Sequence, residues 1–543
     1  MQKFFIKFRG IETFCSIYVW FISSVYILIV PATGYITIAE LKSKVFWIVS
    51  ITFVLFSALL GLELFLVSMG EKKPARKRSP TKIKIISALL VMYLGFTGLS
   101  ALVSPFSGTF LVNGRYDGVL TIGLYVLSTL ILIRYFKPGK WLLLGFGGVV
   151  SIVCVIGIAQ FMGFNPFYLY PGDYNFYDAG IYYADQFWST IGNTNLCAAF
   201  LSVSSAVFAA TAIRCDGAVR KWSFIPLFLS IFSIVELNAE AGLVALMVGL
   251  LVMLPFVVIN ERQIFRSVMV WGVAVLACVA ASALEFYDGG VTLRWGAGAG
   301  AIFVIGLLLW ILGWNLDKKF STLHCLPRNR MRLALVCFVL AVLCGALVIL
   351  YLYDRFPYGF LRQAHEILRG NLDDNFGSGR IYIWRQVWEL VKEAPLLGGG
   401  PDTLGLRGLI PFSRFNEELE IEIVGTIDAA HNEYLNILVN QGLLSLLPYL
   451  AALILTFIKW WKDAENIAVA ICGCAMFFYS IQAFFGISMC IIAPYLWVAI
   501  AIVNINCTTE RGESHEKNAK TFSNQSCNTH APSTVSRIRI CRR

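Results

Sequence analysis

The sequence predicts an all-α polytopic membrane protein with about twelve to fourteen transmembrane helices and one large outer loop. Three observations predict it. Hydrophobic residues make up 58% of the 543, charged residues only 14%, and mean hydropathy is +0.71. A bilayer-spanning helix needs about 20 mostly apolar residues, and fourteen apolar stretches approach that length. Lys and Arg concentrate in every second connection, as the positive-inside rule requires.

The apolar stretches lie near 13–32, 46–68, 85–103, 119–135, 141–161, 194–213, 222–237, 242–260, 267–284, 296–314, 333–353, 435–458, 467–485 and 487–504. With the N-terminus inside, inner connections hold Lys72, Lys73, Arg76, Lys77 and Arg78, then Arg134, Lys137 and Lys140. Further along they hold Arg214, Arg220 and Lys221, Arg262 and Arg266, then Lys318, Lys319, Arg328, Arg330 and Arg332, and last Lys459 and Lys462. The net charge of +11 therefore reports orientation and is no sign of nucleic-acid binding. The first stretch follows Lys3, Lys7 and Arg9 without a small-residue cleavage site, so it reads as an uncleaved helix. The fourteen cysteines fall in apolar stretches or on the inner side, which speaks against disulfides and cysteine-based zinc sites.

This pattern divides the chain into eleven helices over 1–353, an extracytoplasmic loop over 354–434, three helices over 435–504 and a disordered cytoplasmic tail over 505–543. The loop carries thirteen acidic and eight basic residues in a chain that is otherwise basic. A second outer segment, about 162–193, is rich in Tyr, Phe, Asp and Gly. No internal repeat is visible, unlike many transporters.

Inside the loop, Ser378 is placed to N-cap a helix over about 379–394, stopped by Pro395 and Gly398-Gly399-Gly400-Pro401. Ile381, Trp384, Val387, Trp388 and Val391 form an apolar stripe on a 3.6-residue wheel. A helix of this kind often lies on the membrane surface with its arginines snorkelling. That suits Arg385 at the stripe edge. It suits Arg380 less, because Arg380 falls within the stripe, which makes it the better candidate for an anion partner.

His431 and Asn432 stand where the loop re-enters an apolar helix. Asp428 is placed to N-cap that helix and put His431 in its first turn. The helix N-terminus disfavours imidazolium there, and Asp428 and Glu433 favour it. A neutral imidazole at working pH suits a general base. His431, Leu435, Leu438 and Gly442 share one face, with Gly442 suited to close packing of another helix. Asn432, Asn436 and Asn440 form an adjoining polar stripe. The competing structural reading is a capping His and Asn residues that join helices.

The ordered set Gly379-Arg380-(x3)-Trp384, Pro395-Leu396-Leu397-Gly398-(x)-Gly400-Pro401 and His431-Asn432-(x9)-Gly442 resembles the O-antigen ligase and polysaccharide polymerase superfamily. Gly114-Arg115-(x2)-Gly118 and Gly192-Asn193-Thr194-Asn195 are also similar to it, so the resemblance spans roughly 100–450. The resemblance implies a fold like the GT-C class and a glycosyl transfer that is inverting, metal-independent and cofactor-free. The implied donor is a glycan on undecaprenyl pyrophosphate, and the acceptor a glycan, lipid or protein. It implies that His431 takes a proton from the acceptor hydroxyl and that Arg380 holds the pyrophosphate. Arg115, Asn432, Arg385, Asn193 and Asn195 complete the expected binding set. One departure is Glu240, which stands where the resemblance places a second phosphate arginine, so that either Arg115 or Arg294 is expected to take that role or the donor is held differently. Leu446, where ligases often have a small residue or Tyr, favours a polymerase.

The expected place is a bacterial plasma membrane, with both termini cytoplasmic and membrane lipid as the surroundings. The competing function is export or flipping of polysaccharide or lipid-linked oligosaccharide. An exporter should carry repeats and charges deep within several helices, and the chain has few of either. A non-enzymatic membrane scaffold would make the loop motifs accidental.

Overall fold

The computed structural model describes residues 2–70, 81–111, 114–170, 188–287, 290–293, 296–319, 327–356, 359–407, 411–416 and 421–505. Arg294, residues 417–420 of the acidic run and the tail from 506 lie outside them.

The apolar stretches become helices because they satisfy every backbone group internally where no water reaches. They are α1 (Gln2–Trp20, continued to Leu28), α2 (Ile38–Gly70), α3 (Thr81–Val103), α4 (Val119–Tyr135), α5 (Lys140–Phe161), α6 (Thr194–Arg214), α7 (Gly217–Leu237), α8 (Glu240–Val252), α9 (Glu261–Ser282), α10 (Ala297–Lys319) and α11 (Arg328–Leu352). The segment after α11 then forms α12 (Phe360–Leu368) and α13 (Phe376–Glu393), followed by α14 (Glu433–Asp463), α15 (Ile467–Ala483) and α16 (Ala493–Asn504). Among the described residues ten helices are long and apolar enough to cross a membrane. Four shorter apolar helices, α4, α8, α15 and α16, join them in the bundle. The chain is a multi-pass, all-α membrane protein. Two short antiparallel hairpins interrupt it, β1 (Leu284–Tyr287) with β2 (Gly290–Leu293) and β3 (Pro411–Asn416) with β4 (Ile421–Thr426).

Helix α6 is the axis of the bundle, with every residue from Leu196 to Arg214 buried. Its Ser202, Ser204 and Thr211 hydroxyls each donate to the carbonyl four residues back, which lets polar side chains sit in apolar surroundings. Helices α9 and α10 approach closely through Gly272, Gly306 and Gly313. The connection 484–492 between α15 and α16 is irregular, and it contains Cys490, expected within a helix. The Cys490 thiol is buried against the Ser43 hydroxyl at 3.0 Å.

The functional end is organised by a break in α14. Gly442 has φ +77°, which interrupts the helical ladder. The segment 395–400 enters the gap. Leu443 and Leu444 N–H donate to the Pro395 and Leu396 carbonyls at 2.9 and 3.1 Å. In return, Gly399 and Gly400 N–H donate to Val439 and Asn440 at 3.1 and 2.7 Å. A Cβ on Gly442 would lie 2.2 Å from the Leu396 carbonyl oxygen, and one on Gly398 would lie 2.5 Å from the Asn440 carbonyl. Gly442 therefore admits a loop and not, as expected, a neighbouring helix. The Ser104 hydroxyl of the α3 end closes the joint by donating to Gly399 at 2.6 Å. Irregular backbone among membrane helices is tolerated where protein groups satisfy it, as they do here.

Candidate active site

The C-terminal ends of α3 and α15 and the N-terminal ends of α4, α6 and α14 meet on one side of the bundle. Their alternating directions make this the outer side if the N-terminus is inside. His431 sits at this meeting point, one residue before the Asn432 cap of α14. Asn432 Oδ1 accepts from Leu435 N–H at 3.0 Å, so Asn432, and not Asp428, caps the helix. The helix begins at Glu433, and His431 stands outside its first turn with φ +47°. A non-glycine residue there costs about 1–3 kcal/mol unless its surroundings impose it. The imposition is visible at Ala430. Its carbonyl accepts from Trp384 Nε1 at 3.0 Å, and its N–H donates to Asn436 Oδ1 at 3.3 Å.

Arg380 opens the regular part of α13. Gly377, Ser378 and Gly379 before it are left-handed, so Ser378 does not act as the expected N-cap. The Arg380 guanidinium is oriented from three sides. Nε donates to the Phe485 carbonyl at 3.0 Å, Nη1 to Gly377 at 2.6 Å and Nη2 to Asn195 Oδ1 at 3.3 Å. The Asn195 carbonyl in turn accepts from Gln482 Nε2 at 3.1 Å. On the other flank, Arg115 Nη2 donates to both Asp428 carboxylate oxygens at 2.7 and 2.8 Å. The turn bearing Arg115 is itself tied down, because its N–H and that of Asp117 donate to Asp402 at 3.1 and 3.3 Å.

Electrostatics follow from this placement. Burial foremost, then the Arg380 and Arg115 guanidiniums, push the His431 pKa down to about 4, while Asp428 opposes them. Glu433 has no part in this. It turns into the bundle and accepts from the Tyr449 and Tyr479 hydroxyls at 2.8 and 2.9 Å. The imidazole is therefore neutral near pH 7, beside two guanidiniums that stay charged. Among the described residues no group of three or more His, Cys, Asp or Glu could hold a metal ion.

Residues 296–450 match the O-antigen ligase family. The matched segment carries the Arg380, Pro395–Pro401 and His431 motifs that resemble the O-antigen ligase and polysaccharide polymerase superfamily. No curated protein matches the chain. The matched span includes Arg380 and His431, whereas Arg115, Asn193 and Asn195 come to the site from outside it.

The structure gathers some of the residues read from sequence and disperses others. His431, Arg380, Arg115 and Asn195 converge. Asn193 caps α6, its Oδ1 accepting from Leu196 N–H at 3.2 Å, and Asn432 caps α14, so both shape backbone. Arg385 points elsewhere, paired with Asp374 at 2.8 Å on a half-exposed surface. The apolar face of α13 is not laid on the membrane surface. Ile383, Val387 and Val391 pack against Leu404, Ile427, Ala430 and Val439, while Trp388 is exposed. The Asn440 side chain holds a loop, its Oδ1 accepting from Thr403 N–H at 3.2 Å, while its carbonyl accepts from the Ser100 hydroxyl of α3 at 3.2 Å. His365, the other histidine of the outer segment, is buried and donates through Nδ1 to Leu350 at 2.6 Å.

Sequence reasoning missed Asp428 as the partner of Arg115, Trp384 as the clamp on Ala430, and Gln482. The run of glycines at 398–400 and Gly442 are the only sequence signal for the broken helix, because paired glycines mark close backbone approach.

Proposed function

We propose that this protein is a membrane glycosyltransferase that transfers or polymerises glycan from an undecaprenyl-pyrophosphate-linked donor at the outer face of a bacterial plasma membrane. The observation that carries the reading is the convergence of a neutral, buried-edge imidazole with two oriented guanidiniums. In this reading residues 354–434 supply the extracytoplasmic part of the site, and the helices before and after them the membrane part.

The chemistry follows from the residues. His431 takes the proton of the acceptor hydroxyl as that oxygen attacks the anomeric carbon from the side opposite the leaving group, which inverts configuration. The bond to the pyrophosphate oxygen breaks, and its charge is met by Arg380, whose planar fork suits a diphosphate and does not deprotonate. Arg115 is the second phosphate contact in place of the family arginine absent at Glu240, and its release from Asp428 accompanies donor binding. Asn195 sets the rotamer of Arg380. No metal is required, because the guanidiniums supply the charge a cation otherwise would.

The test feeds purified protein a lipid-pyrophosphate glycan and measures released undecaprenyl pyrophosphate with and without EDTA. Release unaffected by EDTA is expected. Loss on chelation, with recovery on adding calcium, magnesium or manganese, overturns the arginine mechanism and directs attention to the acidic run at Glu417, Glu418, Glu420 and Glu422. Transmembrane movement of intact donor without release supports the exporter reading instead.

A further inference from the structure

The inner end of the bundle carries a second group of arginines that no step above uses. Arg214 closes α6, donating through Nη1 to the Val257 carbonyl at 3.2 Å and through Nη2 to the Glu465 carbonyl at 2.7 Å. Arg328 opens α11 and pairs with the Glu465 carboxylate. Arg332, one turn further, stacks its guanidinium 4.8 Å from the Trp461 ring centre. Arg214 and Arg332 are only 5% and 8% exposed.

Five guanidinium nitrogens in this group are buried without a hydrogen-bond partner among the described residues. They are Nε of Arg214 and both Nε and Nη2 of Arg328 and of Arg332. Arginine does not shed its proton, so these donors stay charged and need an acceptor. A buried donor left unsatisfied costs about 1–3 kcal/mol, more for charged groups. The neighbouring inner cluster shows the satisfied alternative. There Asp317 accepts from Arg220, Arg262 and Arg266 at 2.7, 2.8 and 2.9 Å, and Ile213 and Cys215 carbonyls take further donors of Arg266.

We propose that Arg214, Arg328 and Arg332 form a phosphate-binding site at the inner end of the bundle, apart from the glycan-transfer site. A phosphate presents several oxygens to several guanidinium nitrogens at once, which a single carboxylate does not. Two sources offer that group, an anionic phospholipid headgroup and free phosphate. The surroundings favour the lipid. Of α11 only Met331, Arg332 and Val339 are buried, while Leu333, Phe338 and Leu340 are exposed, so the arginines sit beside an apolar surface at headgroup level.

The test uses the full-length protein in detergent, titrated separately with phosphatidylglycerol, phosphatidylcholine and inorganic phosphate, with adducts read by native mass spectrometry and Tm by intrinsic fluorescence. Phosphatidylglycerol should be retained at least about fivefold over phosphatidylcholine, and Arg332→Gln should remove that preference. Arg262→Gln, in the satisfied cluster, should keep it. Arg332→Lys, which keeps the charge and loses the fork, should give an intermediate preference. A phosphatidylglycerol adduct that survives millimolar inorganic phosphate assigns the site to the lipid. Displacement of the adduct, with a matching rise in Tm from phosphate alone, assigns it to free phosphate. Equal retention of the two lipids without any response to phosphate overturns the proposal in the wild-type protein, whether or not the variants fold. So does an unchanged preference in folded Arg332→Gln.

Discussion

The Asp317 cluster and the arginines around His431 hold their guanidiniums in different ways. At the Asp317 cluster, Arg220, Arg262 and Arg266 surround one buried carboxylate, and the exposed Asp216 pairs with two of them. Beside His431, two backbone carbonyls and an Asn amide oxygen orient the Arg380 guanidinium. Arg115 does have a carboxylate, but Asp428 is half exposed and exchangeable. The difference lies in the partner: a buried carboxylate shared by three arginines in one group, and backbone carbonyls, an amide oxygen and a half-exposed carboxylate in the other.

The comparison makes its largest prediction at the inner end. Asp317→Ala removes the carboxylate partner of buried Arg220 and leaves Arg262 and Arg266 with the exposed Asp216. Breaking a buried pair costs about 3–5 kcal/mol. The expected result is a strong loss of folded protein and of Tm, with transfer per folded molecule preserved. A folded variant with wild-type Tm and weakened transfer breaks the division between the two ends.

His431→Ala reverses the pattern. Expression and Tm should hold, while transfer falls by roughly a hundred-fold or more, the usual contribution of a positioned base. Near-normal turnover removes His431 from the mechanism.

Arg380→Lys should lower transfer by about tenfold, because a point charge replaces a fork. Arg385→Lys, paired with Asp374 at the surface, should change transfer little. Equal losses at both positions argue that α13 acts through general membrane attachment.

The smallest effect is on pH. The acid limb of kcat/KM should lie near the depressed His431 value of about 4, well below an ordinary histidine. Asp428 raises this pKa, so Asp428→Asn should move the limb lower. Arg380 lowers it, so Arg380→Gln should move the limb higher. Shifts of the opposite sign contradict the electrostatic arrangement.

Much of this was legible in the sequence because the bilayer leaves few choices. A long apolar stretch must satisfy its own backbone, so hydropathy alone located the helices and the Lys and Arg pattern their alternation. Residue order around the outer segment pointed to Arg380 and His431, since a charge within an apolar stripe and a lone histidine at a membrane edge are both costly without a use. Asn195 and Arg115 were named from motif likeness. Their sequence positions do not say that one would hold Arg380 and the other pair with Asp428.

Sequence by itself determined the all-α membrane class, the helix positions and the candidate base and phosphate arginine, because these depend on local composition and spacing. Only the tertiary structure decided which residues meet. The cap of α14 passed from Asp428 to Asn432, because the helix starts at Glu433, and Gly442 opened the helix to the 395–400 loop, whose backbone groups pair with it from far away in the chain. Asn193 and Arg385 were set aside from the site by nearer partners, Leu196 N–H and the Asp374 carboxylate. The neutrality of His431 was also decided there. It depends on burial and on two guanidiniums brought from 51 and 316 positions away (431−380 and 431−115), and no local window of the sequence contains that distance.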